Sequence, residues 1–240
     1  MSTIHNKEVI PVEIMENPLL KRKNRMPGET IRLPSRGKFY DEIVLKDHKN
    51  GEITLRPITL TDEIMMKSPD MLIQGTAIDH TFRRCSPNIV SPLDLVMPDV
   101  NYILTQLRRI SLGSELDLNY VCQHCQHRQE VTIPLEYFTQ ASRELEDAEL
   151  EEHYKYVTEY DGATVELRPV PLRDFLDMQN FSIEMLRNPD EYAEYIRRSF
   201  MGLIKSVDGV TQREFINEWL DELPIKDIKA ITKKMSSVLS

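Results

Sequence analysis

A chain of 240 residues with thirty basic and thirty-nine acidic side chains carries a net charge of −9 and a pI near 5.3, a balance that disfavours non-specific attraction to a polyphosphate backbone. With 40% hydrophobic and 29% charged residues, the composition is that of an ordinary globular protein, long enough for one large domain or two small ones without cross-links. Three cysteines, an odd number, and a start without an apolar signal core argue for reducing, cytosolic synthesis, and no window holds the roughly 18 apolar residues of a membrane span.

Residues 1–28 contain Pro11, Pro18 and Pro27 and the basic cluster Lys21, Arg22, Lys23 and Arg25 without sustained periodicity. They predict an extended arm, either a mobile terminus or one that orders on a partner. An α+β domain is expected over 29–140. It opens with short β-like runs around the turn Pro34-Ser35-Arg36-Gly37 and the alternating strand Glu52–Arg56, a small antiparallel unit. Ser68-Pro69-Asp70 then resembles a capped helix start leading through to Cys85, and Pro98-Asp99 opens a second helix with Ile103, Leu107 and Ile110 at helical spacing and Gly113 as its cap.

Residues 141–153 form the expected acidic connector: from Ala141 to Gly162 there are eight acids and two bases, so this stretch holds two thirds of the excess charge. The last expected domain, 154–240, begins with a β-hairpin turning at Asp161-Gly162. Four amphipathic helical segments follow, the second of them running from Asn188-Pro189 through Val207. The whole predicts a predominantly helical α+β fold, with two small β-hairpin units each followed by helices and a Cys-x-x-Cys knuckle in the first half. Trp219 and the methionine-rich stretches read as core.

An internal echo joins the two units. GEITLRPITLTDEIMM (51–66) and GATVELRPVPLRDFLDM (162–178) share a glycine turn, a strand ending in Leu-Arg-Pro, and an Asp before an apolar helix. Proline ends each strand because it has no N–H for a ladder. The repeat reflects either a duplication or one junction used twice.

The most specific spelling is Cys122-Gln123-His124-Cys125-Gln126-His127 between two β-like runs, which matches a zinc knuckle, where two thiolates and nearby backbone N–H groups grip one side of a tetrahedral ion. It is half of a site, so the remaining ligands have to come from His127, His124, Cys85 or another chain. A metal-free knuckle, a thiol redox pair and a catalytic zinc with Glu130 as base are the other readings. Phosphate-binding, H-E-x-x-H, G-x-S-x-G and G-x-G-x-x-G signatures are absent from the sequence, so no catalytic residues are assigned. The acid pairs Asp62-Glu63 and Glu146-Asp147 read as helix-start or solvated carboxylates.

Leu33-Pro34-Ser35-Arg36-Gly37-Lys38-Phe39-Tyr40, the segment 51–66, Gly75-Thr76-Ala77-Ile78-Asp79 with Cys85, the helix Asp99-x-x-x-Ile103-Leu104-x-x-Leu107-Arg108 and the Cys122/Cys125 knuckle occur in an order that resembles the baseplate hub and hub-assembly proteins of T-even-like contractile-tailed bacteriophages. The resemblance covers about residues 30–137. It implies a non-enzymatic hub subunit or hub assembly factor that acts through contacts with other baseplate hub proteins, in the host cytoplasm during assembly or in the virion tail baseplate. The knuckle departs from the usual spelling, because Gln126 stands where glycine usually follows the second cysteine. Arg36, Lys38, Phe39 and Tyr40 are the expected partner-binding residues, since cationic and aromatic groups commonly anchor interfaces. Their other reading is a turn packed on its own sheet. If zinc binds Cys122 and Cys125, its role is structural. The competing class is a zinc-ribbon regulator that binds nucleic acid or polymerase, but Arg128 is the one basic residue at the knuckle, beside Glu130.

Overall fold

The computed structural model describes residues 28–140, 146–148, 154–185 and 192–238; the expected arm, except Gly28, and most of the acidic connector lie outside them. Strands β1 (Glu29–Arg32) and β2 (Glu52–Leu55) pair antiparallel, with Glu29 opposite Leu55 and Arg32 opposite Glu52. Their period of two turns Ile31, Ile53 and Leu55 inward. Before β2 the chain reverses at Gly51, whose φ is +62° and whose missing Cβ would fall 2.5 Å from the Arg36 carbonyl carbon. Only glycine fits both the dihedral and the close approach.

Three helices follow: α1 (Leu60–Met66), α2 (Pro69–Ile73) and α3 (Thr76–Cys85). The sequence predicts a single helix from Pro69 to Cys85, but Gly75 adopts φ +73° and divides it. A Cβ at Gly75 would stand 2.4 Å from Leu176 Cδ1, so the break lets another element approach. Helix α4 (Met97–Leu112) has Pro98 in its first turn and ends at Gly113, whose N–H donates to Arg109 O, as the sequence predicts.

Strands β3 (Glu115–Val121) and β4 (Arg128–Pro134) form a separate hairpin, followed by the short α5 (Glu136–Gln140). The second unit contains β5 (Lys155–Val157), β6 (Thr164–Leu167), α6 (Leu172–Met185), α7 (Tyr192–Leu203), β7 (Ile204–Val207), α8 (Arg213–Glu222) and α9 (Ile225–Val238). Its sheet has the order β5-β6-β7, antiparallel throughout. Two expectations need correction. The helix predicted through Val207 ends at Leu203, because Ile204, Ser206 and Val207 are buried while Lys205 is exposed, and this strand-like period completes the free edge of β6. The Cys-x-x-Cys knuckle, expected in the first half, lies at 122–125 just past the midpoint of the 240 residues, because the β1–α4 unit fills the first half by itself.

Leu33, Leu45, Ile53, Leu55, Phe82 and Ile103 build one core; Val165, Leu167, Ile204, Ile216 and Ile231 build the other. The units are stitched at the start of α6. There Leu172 is buried in the first core, its N–H donates to Leu95 O at 2.8 Å, and Met97 N–H donates to Val170 O at 2.9 Å. Phe39 packs against both cores.

The sequence echo is also a structural one. Arg56 N–H donates to the carbonyl of Cys85, the last residue of α3, and Arg168 N–H donates to that of Leu203, the last residue of α7, both at 2.9 Å. Six residues on, each arginine meets an aspartate: Arg56 Nη1 lies 3.9 Å from Asp62 Oδ2, and Arg168 Nη2 lies 3.3 Å from Asp174 Oδ2. A second arginine joins each pair, Arg84 at 2.8 Å from Asp62 and Arg213 at 3.4 Å from Asp174. Asp62 is therefore more than a solvated helix-start acid. It is fully buried, and its carboxylate accepts from Thr59 N–H at 2.8 Å and Thr59 Oγ1 at 2.7 Å, capping α1.

Candidate functional site

The segment Leu33–Tyr40 is a series of tight turns closed by Arg36 N–H to Leu33 O at 2.9 Å, Lys38 N–H to Ser35 O at 3.1 Å and Tyr40 N–H to Gly37 O at 3.2 Å. Arg36 and Gly37 take the left-handed dihedrals that such consecutive turns require, φ 51° and 74°. The anchor is Asp99, fully buried in the first turn of α4. Its carboxylate accepts from Ser35 N–H at 3.0 Å, Ser35 Oγ at 2.5 Å and Tyr40 Oη at 2.6 Å, while Tyr40 Oη accepts from Val96 N–H at 3.0 Å. Burial raises the Asp99 carboxyl above its ordinary value, with the Ser35 and Tyr40 hydrogen bonds pulling against it. Burial and the adjoining Asp99 charge push the Tyr40 phenol well up.

The four expected partner-binding residues therefore divide. Tyr40 is buried on Asp99, and Phe39 is half-buried, its ring edge-on to Tyr154 with centroids 5.1 Å apart at 65°. Arg36 is half-buried, and Lys38 lies at the surface with Nζ 2.5 Å from Asp147 Oδ1. In the sequence, Asp99 marks only the start of a helix. Its partners lie 59 and 64 residues away, and no local spelling carries that contact.

The β3–β4 hairpin is exposed along nearly its whole length. Its register places Leu116, Leu118 and Tyr120 opposite Ile133, Val131 and Gln129, so one face is largely apolar. The other carries Asp117, Asn119, Glu130 and Thr132, with Thr132 Oγ1 donating to Asp117 Oδ1 at 2.7 Å. At the tip, Cys122 N–H donates to His127 O at 3.0 Å and Gln126 N–H to Cys122 O at 2.8 Å. Gln126 adopts φ +57°, so the chain takes the left-handed turn although glycine is missing there. Backbone N–H groups of Cys125 and His124, joined by the Cys125 thiol, hydrogen-bond to Cys122 sulfur and hold its thiol below the ordinary value.

The tip thus brings Cys122 and Cys125 together in a knuckle. Cys85 is elsewhere, buried in the first core with burial pushing its thiol up to about 11. Among the described residues no three His, Cys, Asp or Glu side chains gather around a metal-sized site, so His124, His127, Glu130 and Cys85 do not assemble with the pair.

Helix α1 is a further surface that periodicity reading passed over. Asp62 is 0% exposed while Leu60 and Ile64 are 73% and 61% exposed, so the helix turns a paired acid inward and two large apolar side chains outward. Met66 of the same helix packs against the first core, so Leu60 and Ile64 form an apolar pair on the face turned away from that packing. The i, i+4 spacing of Leu60 and Ile64 was the signal that could have revealed it.

Among the described residues no helix is long and apolar enough to cross a membrane. No curated protein and no solved structure matches the chain. The family model described as T4 bacteriophage base plate protein matches residues 29–239, a span that takes in both β-hairpin units, the Asp99-anchored loop and the cysteine hairpin. The chain belongs to that family of phage baseplate proteins.

Proposed function

We propose that the protein acts without catalysis in the baseplate hub, as a hub subunit or as a factor that assembles the hub, by docking other baseplate proteins. The observation that carries this reading is the inverted pattern of α1, where Leu60 and Ile64 face solvent and Asp62 faces the core. Burying a leucine or isoleucine side chain contributes about 1.5–3 kcal/mol, so an outward apolar pair gains that stabilisation only when a partner covers it. Ile73 on α2 is likewise exposed. Arg36, on the loop held by Asp99, adds a cationic group at a rigid position, whereas Lys38 is already paired with Asp147. The Asp99 clamp favours docking because a pre-ordered loop loses little conformational freedom on binding.

The test is to capture the chain from cells making the phage tail proteins and, separately, to look for it in finished particles by mass spectrometry. Recovery of hub proteins together with presence in particles identifies a subunit; recovery without retention identifies an assembly factor. Failure to recover any hub protein contradicts the proposal.

A further inference from the structure

The knuckle at the hairpin tip offers two thiols and leaves two tetrahedral positions to be filled. We propose that a second copy of this chain fills them, so that Cys122 and Cys125 of each copy hold one shared zinc ion as a tetrathiolate, joining hairpin tip to hairpin tip. This inference is independent of the role proposed in the hub.

Geometry supports the half-site. The turn from Cys122 to His127 is closed by two backbone hydrogen bonds, which hold the two cysteines on one tight loop as in a knuckle that grips zinc from one side. Gln126 accepts a left-handed dihedral to make this turn. The remaining cysteine of the chain, Cys85, is committed to the first core, where its carbonyl caps onto Arg56 N–H. A second knuckle is therefore the nearest source of two further thiolates.

The surroundings fit a copy of the same chain. A twofold interface must be self-complementary, and the polar face near the tip carries Arg128 and Glu130 two residues apart, so each can meet the opposite charge of its twin. Val121, paired with Arg128 on that same face, is exposed beside the tip and would be covered by the twin hairpin. The two cores do not use the hairpin strands, leaving the tip free to meet another molecule. On binding, each thiol releases its proton to solvent and zinc forms four sulfur bonds without any change of oxidation state.

The test uses the full chain, purified with zinc under a non-thiol reductant. Metal content is measured by mass spectrometry and molar mass by light scattering, before and after a strong chelator. The expected result is about one zinc per two chains, a dimer that halves in mass when the metal is removed, and loss of both properties in the Cys122→Ser/Cys125→Ser double variant. Cobalt in place of zinc should give the intense sulfur-to-metal absorption of a four-thiolate site. Cys85→Ser and His127→Ala should leave zinc content and mass unchanged. Circular dichroism and Trp219 fluorescence check that each variant is folded. One zinc per monomeric chain, loss of zinc in His127→Ala, a dimer indifferent to chelator, or no zinc retained would each overturn the proposal.

Discussion

Tyr40 Oη donates to Asp99 Oδ2 at 2.6 Å and accepts from Val96 N–H, so one hydroxyl ties the Leu33–Tyr40 loop to both the carboxylate and the backbone at the start of α4. Tyr40→Phe removes that hydroxyl and leaves a buried N–H and a buried carboxylate each short of a partner. The expected cost is about 1–3 kcal/mol. Urea unfolding should show a lower midpoint at unchanged slope; an unaltered midpoint would mean that the clamp contributes nothing.

Acid should weaken the fold through Asp62. Burial acts to raise its carboxyl, but the Thr59 hydrogen bonds and the Arg84 and Arg56 charges outweigh it, leaving the folded value below the ordinary 3.8. A lowered carboxyl contributes stability at pH above its unfolded value and loses it as pH falls through the folded one. Asp99, raised by burial, works in the opposite direction. Stability measured from about pH 5 down to about pH 3 should therefore fall less steeply in Asp62→Asn than in the native chain.

Gly51→Ala tests the contact between the β1–β2 turn and the loop. Gly51 combines φ +62° with a Cβ position 2.5 Å from Arg36 backbone, whereas Gly162 has φ +74° and nothing within 4 Å. The Gly162→Ala change meets only the left-handed dihedral, about 1 kcal/mol. The Gly51→Ala change adds a backbone clash and should cost clearly more, read as the difference between the two thermal midpoints.

Leu172 belongs by sequence to the second unit and by burial to the first core. Leu172→Ala should cost about 2–5 kcal/mol. The single tryptophan, Trp219, donates to Asp161 at 2.9 Å in the second unit and reports unfolding there. Its fluorescence transition should shift together with the circular dichroism transition, because the α6 start couples the units; separate transitions would show that they unfold independently.

Much of this architecture was legible locally. The β1–β2 and β5–β6 pairs announce themselves by alternating side chains around glycine turns, and α4 by its proline start and Gly113 stop. The division at Gly75 was hidden because a lone glycine inside a helical pattern does not by itself end a helix, and β7 was hidden because Ile204 follows α7 without a break. The Leu-Arg-Pro echo was visible as spelling, whereas the pairing of Arg56 with Asp62 and of Arg168 with Asp174 appears only once the chain turns at the prolines. At the candidate site, the Cys122–Cys125 knuckle could be read from spacing alone. The inward placement of Tyr40 could not, since it depends on Asp99, 59 residues away.

Docking of a baseplate hub protein on the outward apolar face of α1 makes a specific demand on Leu60 and Ile64. The most direct measurement compares the native chain with Leu60→Lys/Ile64→Lys in capture from cells making the tail proteins, with circular dichroism as the folding check. Hub proteins should co-purify with the native chain and be lost at least about tenfold, or about 1.4 kcal/mol, with the folded variant. Equal recovery by both would contradict that docking.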